Sequence, residues 1–266
     1  MAPEYKPISD LSDSNLAYMD VRAEIGMSEH LGGFEFTDVL HQLCHLENAN
    51  KVLEVGCGIG VGSVYIARRY NCQVTALDIS PKMLAWASQR AERAGMGKRI
   101  QFLQADVRQL PFASASFDAV LVESVLAFVG AKTTALRELI RITRPGGYLG
   151  LNEVFWTRQP PAEFSEHAQQ VWGSALLSES EWRDLWQSTP FENRVIRSRP
   201  MQAGVDLRGR LSWIGWRTVL PAMGRLVRLL LSSPQVRASV RQQFNYPPGM
   251  LGYLGYGLFV AQKRTT

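Results

Sequence analysis

The chain has 266 residues, 46% of them hydrophobic and 20% charged, with a formal net charge of +5. That suffices for one α/β domain with an insertion. Its cysteines, Cys44, Cys57 and Cys72, are an odd set without CxxC spacing, which excludes a disulfide framework or a zinc site as the organising device.

No basic stretch followed by an apolar run opens the chain, and no uncharged apolar run has the length of a membrane span. A reducing cytoplasm is the simplest setting. Residues 1–15 are polar and read as poorly ordered. Asn15–Gly26 and Glu35–Leu46 read as short helices, joined through Glu29-His30-Leu31-Gly32-Gly33-Phe34. The glycine pair there suits either a close backbone approach or a plain turn.

The first strand falls at 51–55, within Lys-Val-Leu-Glu-Val-Gly-Cys-Gly-Ile-Gly. Gly56, Gly58 and Gly60 allow a tight turn and close approach to a ligand. A helix follows over 62–70 and a strand over 73–78 that ends in Asp78. This β–loop–α–β unit places a carboxylate where it can accept from both hydroxyls of a ribose. A dinucleotide fingerprint would need a third glycine at position 61, which is Val61. The loop also lacks the Lys-Ser/Thr ending that cradles a nucleoside triphosphate.

Beyond it, Ser80-Pro81 caps a helix over 81–94. Strands are expected near 100–103, 118–122 and 148–154, with a helix over 132–143 and a turn at Gly146-Gly147. Strands alternating with helices imply a parallel sheet covered on both faces, with ligands at the carboxyl ends of the strands. After Glu153 the pattern changes. Pro160-Pro161 opens a helix, Ser180–Gln187 is another, and Phe191–Arg199 alternates like a strand. Residues 206–243 read as helical, with a kink or split at Pro221 and Gly224. Gly257–Gln262 reads as the last strand.

Charge is uneven. Residues 194–241 hold ten arginines, no lysine and one acid, Asp206, so that segment is +9 and the remainder is −4. No nucleic-acid module pattern accompanies these arginines, so nucleic acid is not an expected partner. A solvated face is the plain reading. Peripheral contact with an anionic membrane through residues 204–250 is the sharper one. Trp213, Trp216, Leu220, Met223, Val227 and Leu230 form a broad apolar face there, and Arg210, Arg217 and Arg228 a basic stripe.

From Lys51 to Glu153 the chain resembles the class I S-adenosylmethionine-dependent methyltransferases, with the motifs in order. Glu54, Gly56, Cys57, Gly58 and Gly60 match the loop that wraps the methionine part of the cofactor. Asp78 matches the ribose ligand, with Ile79 beside the adenine and Met83 among the cofactor contacts. Ala105, Asp106 and Val107 match the segment whose aspartate meets the adenine amino group. Phe117–Glu123 matches the fourth strand and Arg144–Leu149 the turn into the fifth. The resemblance implies a doubly wound, seven-stranded, mostly parallel Rossmann-like sheet with an antiparallel last strand. It also implies S-adenosyl-L-methionine as cofactor. The expected parts are an N-terminal helical lid (1–50), a core (51–203 and 251–266) and a helical cap insertion (204–250).

Methyl transfer from a sulfonium is an in-line displacement, so the protein chiefly aligns the reactants and, for a poor nucleophile, supplies a base. The candidates are Glu123, after strand four, Glu153, at the end of strand five, and His30 in the lid. Glu123 suits a base, a ligand for a substrate cation or a contact to the methionine end. Glu153 suits a base, a substrate ligand or an ion pair with a cap arginine. His41 and His45 share a helix without a third ligand, and no metal is expected. The sequence Glu123-Ser124-Val125-Leu126 departs from the Asn/Asp-Pro-Pro-aromatic segment of amino-methylating relatives, which disfavours DNA bases and protein glutamine as acceptors. A small molecule, lipophilic or aromatic in the sharper reading, is the expected acceptor. An arsenite-type enzyme and a cofactor-binding protein without turnover are the alternatives.

Overall fold

The computed structural model describes residues 21–28, 30–202, 208–209, 211 and 213–265. The polar residues 1–15, the start of the first expected helix, Asp206 and Arg210 lie outside the described residues; residues 21–25 are helical.

Seven strands form one sheet in the order β3-β2-β1-β4-β5-β7-β6. They are β1 (Lys51–Val55), β2 (Gln73–Asp78), β3 (Ile100–Gln104), β4 (Phe117–Glu123), β5 (Thr143–Trp156), β6 (Phe191–Pro200) and β7 (Leu254–Lys263). β1 pairs in parallel with β2 and β4, and β7 runs antiparallel between β5 and β6. The helices are α1 (Gly33–Leu43), α2 (Val61–Arg69), α3 (Pro81–Arg93), α4 (Lys132–Ile142), α5 (Ala162–Trp172), α6 (Glu179–Gln187), α7 (Trp216–Ser232) and α8 (Pro234–Phe244).

The strands alternate their side chains between two cores. Val52, Val74, Ala119 and Leu121 join one, while Leu53, Leu77, Val120 and Val122 join the other. Both faces are therefore apolar and covered, as a parallel sheet requires. The connections turn outward in opposite directions from β1 and β4, so the ligand crevice lies at their carboxyl ends.

Three expectations need correction. The turn at Gly146-Gly147 is a bulge inside a longer β5: the β4 pairing steps from Phe117↔Thr143 to Ala119↔Tyr148. Gly146, at φ +73°, supplies the backbone conformation for that step. Pro221 and Gly224 do not split the cap segment, because α7 runs through both. A proline removes one backbone donor, and the remaining ladder of a 17-residue helix outlasts that loss. The break falls at Ser233, whose side chain caps α8 with Pro234 at its first position. Finally, the second helix ends at Leu43, and Leu46 sits in a separate short turn.

Candidate active site

The glycine loop between β1 and α2 folds over the tip of β2. Gly56 and Cys57 both donate their N–H to the Leu77 carbonyl, at 2.8 and 2.9 Å. Gly58 N–H donates to Asp78 Oδ2 and Ser80 N–H to Asp78 Oδ1, each at 2.9 Å. Asp78 thus ties the loop to its own strand tip. Burial pushes its carboxyl up, opposed by these backbone donors. Each oxygen takes one of these N–H bonds, and the carboxylate, with about four acceptor sites, keeps capacity for a ligand hydroxyl.

Each loop glycine touches a different neighbour. A Cβ on Gly56 would collide with Val125, on Gly58 with Ser28, and on Gly60 with Ala87 of α3. Gly62, on the first turn of α2, has the same constraint: its Cβ would fall 3.1 Å from Glu54 Cδ. The Glu54 carboxyl points inward there and accepts from Ser63 Oγ. Burial lifts it to about 8.

Along the neighbouring tips, Ala105 N–H donates to the Asp78 carbonyl at 3.2 Å, and Gln104 Nε2 to the Ile79 carbonyl at 3.1 Å. Cys57, Ala105, Val107 and Met83 are buried and Ile79 is half-buried. Asp106 holds Arg108 through both carboxylate oxygens, with Nε at 2.9 Å and Nη2 at 2.6 Å from Oδ2. An adenine amino group would have to share that carboxylate with the arginine.

Glu123, the last residue of β4, pairs with Asn152 of β5, which continues beyond the expected end near 154 to Trp156. Thr37 Oγ1 donates to Glu123 Oε2 at 2.9 Å, and His30 Nε2 lies 2.7 Å from Thr37 Oγ1. Since the threonine hydrogen is already used, the His30 nitrogen is the donor in that pair. Asn152 Nδ2 donates to the Leu31 carbonyl at 3.0 Å and to Glu123 Oε2 at 3.3 Å. Both hydrogen bonds to Glu123 fall on Oε2, with His30 Nε2 3.7 Å from the same oxygen; among the described residues Glu123 Oε1 accepts no hydrogen bond. The Oδ1 of the fully buried Asn152 likewise has no partner among them. The cluster is rich in acceptors and short of donors.

Glu153 takes a different place from the one its position suggested. It is fully buried, and its oxygens accept the backbone N–H groups of Val125, Leu126 and Ala127 at 2.8–3.2 Å. The expected arginine partner is replaced by main-chain donors. Burial pushes the carboxyl to about 7. Glu153 therefore fixes the turn after β4, where Ser124 adopts φ +58°.

The N-terminal segment and the cap meet over the glycine loop. His30 stacks on Trp213 with ring centroids 3.9 Å apart. Ala23, Ile59, Val61, Met83, Trp213, Ile214 and Val219 form one buried cluster. Trp213 is thus a packing residue and not part of an exposed face. Arg90 joins the Ile59 carbonyl to Thr218 Oγ1, and Arg225 donates to the Ile25 carbonyl at 2.6 Å while lying over the Trp86 ring. Gly33 packs directly on the backbone of Gly209, so the close approach suited to the glycine pair is made to the cap.

His41 and His45 do not share a helix as expected, because α1 ends at Leu43 and His45, at φ +49°, precedes the next short turn. His41 is buried and held neutral, its pKa lowered to about 4 by burial, while His45 faces Glu47 at the surface. All three cysteines are buried free thiols.

Thr37, Asn152, Ser63 and Arg108 were not singled out as functional from the sequence. The Glu123–Asn152 pair was discoverable, because each is a polar residue that directly follows an apolar strand run. Thr37 carried no such signal.

Residues 53–151 match the family model described as a methyltransferase domain. The uncharacterized methyltransferase YodH of Bacillus subtilis (strain 168) is 33% identical over 183 residues, covering 68% of this chain and 77% of that protein. The 27-O-demethylrifamycin SV methyltransferase of Amycolatopsis mediterranei (strain S699) is 33% identical over 135 residues, 51% of this chain and 49% of that protein, so the chain spans about half of its length. Among solved structures, the [4+2]-cyclase SpnF superposes with a TM-score of 0.75 at 18% identity, covering 99% of this chain and 98% of that one.

Proposed function

The chain belongs to the class I S-adenosylmethionine-dependent methyltransferases, and on that premise we propose that it methylates a small, lipophilic or aromatic molecule by in-line displacement. The observation that carries the reading is Asp78, which holds the glycine loop through Gly58 N–H on Oδ2 and the start of α3 through Ser80 N–H on Oδ1, and keeps acceptor capacity for a ribose. The buried, unpartnered Asn152 Oδ1 beside Glu123 adds a second mark of an absent donor-bearing ligand.

The cofactor supplies the electrophilic methyl group. Glu54, Gly56, Cys57, Gly58 and Gly60 would enclose its methionine end, Asp78 the ribose, and Ile79, Met83, Ala105, Asp106 and Val107 the adenine side. Glu123 Oε1 takes the proton that the acceptor gives up, while Thr37 and Asn152 hold Oε2 and His30 holds Thr37. Glu153 acts as a positioning residue for the turn after β4. The lid (1–50) and the cap (204–250) close over the acceptor, and their apolar cluster supports a lipophilic substrate. A cytoplasmic setting belongs to the same reading. Among the described residues no helix is long and apolar enough to cross a membrane.

Because the same fold serves a [4+2]-cyclase, the test separates binding from turnover. Calorimetry should show binding of S-adenosylmethionine and of its demethylated product. Asp78→Ala should weaken both at least tenfold, since charge-assisted hydrogen bonds contribute about 1.5–3 kcal/mol each. Asp78→Asn, which keeps the shape, and a thermal melt control for the loop. Unchanged affinity would refute the ribose role. Binding without demethylated product from any small acceptor would leave a cofactor-binding protein in place of the enzyme.

A further inference from the structure

α7 has an outward side that plays no part in closing the site. Trp216, Leu220, Met223, Val227 and Leu231 are 68%, 67%, 46%, 51% and 79% exposed. They are the exposed large hydrophobic residues among those described, and all lie on this one helix. At 100° per residue they fall within an arc of about 80°. The opposite side of α7 is occupied: Val219 and Ala222 are buried, and Arg225 is pinned to the Ile25 carbonyl. Burial in the core therefore accounts for one side of the helix and leaves the apolar stripe to face outward.

The charge beside the stripe narrows what fits it. Arg217 and Arg228, both exposed, lie about 40–60° beyond the stripe's edge by the same helical count. From Leu207 to Thr266 the sequence has eight arginines, one lysine and no aspartate or glutamate. A second copy seated on this face would bring two arginine rows together with no acid on either helix. An anionic bilayer offers the complement of both features: phosphates for the guanidinium groups and an apolar layer just beneath. Trp216, at the amino end of the stripe, suits the headgroup boundary with its apolar ring and polar N–H.

We propose that α7 docks the protein on an anionic membrane surface, with the stripe from Trp216 to Leu231 entering the headgroup boundary and Arg217 and Arg228 at phosphate level. The docking stands on the exposed stripe and its charge; its use, delivery of a lipophilic acceptor to the lid, rests on the methyltransferase reading. The inner side of the same helix reaches that lid through Arg225–Ile25 and α3 through Thr218–Arg90, so the docked face and the entrance to the site are two sides of one element.

The full chain should be floated with phosphatidylcholine vesicles, with and without phosphatidylglycerol, at low and moderate salt. Binding should require the anionic lipid and weaken with salt. It should fall at least tenfold in an Arg217→Glu/Arg228→Glu variant and again in Leu220→Ser/Val227→Ser. Neither variant should shift the melting temperature, since these side chains are exposed, nor the affinity for S-adenosylmethionine. Absence of flotation at low salt overturns the docking. So does flotation that ignores Leu220→Ser/Val227→Ser, which would reduce the contact to charge alone. A dimer in sedimentation that the same apolar variant dissociates, without flotation, would assign the stripe to a second copy. Loss of cofactor binding in the unaltered protein would instead count against the methyltransferase reading and leave the flotation result standing.

Discussion

Gly60 gives the sharpest test of how the glycine loop is built. Its φ is +74°, and a Cβ there would lie 2.8 Å from Ala87 Cβ and 2.9 Å from Ala87 Cα. Gly60→Ala therefore meets two separate penalties. The left-handed backbone costs a residue with a Cβ about 1–2 kcal/mol. The overlap with α3 adds about 1–3 kcal/mol, because the obstructing atoms belong to the helix itself and not to a flexible side-chain end. Gly95 separates the two. It has φ +70° with nothing within 4 Å of its Cβ position, so Gly95→Ala should show the backbone part alone. Urea unfolding followed by far-UV circular dichroism would place the two variants on one scale. Gly60→Ala should be the more destabilised by about 1–3 kcal/mol, which for a chain of this size corresponds to roughly 2–12 °C in melting temperature. Equal losses would refute the packing argument and assign Gly60 to ligand approach instead.

Two further outcomes follow from buried carboxyls. The Glu54 carboxyl, lifted to about 8 by burial, keeps a proton that the unfolded chain releases near its ordinary value of 4.5. Stability is therefore full below that lower value and is lost as pH rises toward the upper one. Glu54→Gln should flatten the loss between pH 6 and 7 by about 1 kcal/mol per pH unit; denaturant midpoints with the same slope in both proteins would contradict this. Glu153→Ala strips the acceptor from three backbone N–H groups and should destabilise the fold by about 3 kcal/mol or more. Glu153→Gln, which keeps one carbonyl oxygen, should lose less, and a loss no greater than that of a surface substitution would show that water replaces the carboxylate.

The strand and helix sequence from Lys51 to Ile142 was legible because local signals agreed. Val52, Leu53 and Val55 make a short apolar strand, the glycines mark the turn, and Ser80-Pro81 caps a helix. The placement of Asp78 was legible too, since a carboxylate ending a buried strand next to a glycine loop has few other uses. Asp106 was located but not its partner: Arg108 lies two residues away, and its grip on both oxygens depends on a local turn that no periodicity reveals.

The cap was harder to read. Its arginine bias was plain, but the direction of each side chain was not. Trp213 and Trp216 lie three positions apart with similar apolar surroundings in sequence. One is buried against His30 and the other stands in solvent. Likewise, Leu230 was expected on the apolar face, whereas Leu231 is the exposed residue. A helical period gives the faces of a helix but not which face meets the core.

The sequence by itself determined the alternating sheet, the glycine loop and the acidic strand tip, because strand burial, turn geometry and helix capping are set within a few residues. Only the tertiary structure decided the contacts of Glu123 and Glu153. Both are glutamates on neighbouring apolar strands, Glu123 at the end of β4 and Glu153 three residues before the end of β5. What separates them is whether the carboxyl meets side chains drawn from α1 and the lid or the bare N–H groups of the turn after β4. That choice is made by distant segments brought into contact, at separations where local sequence carries no information.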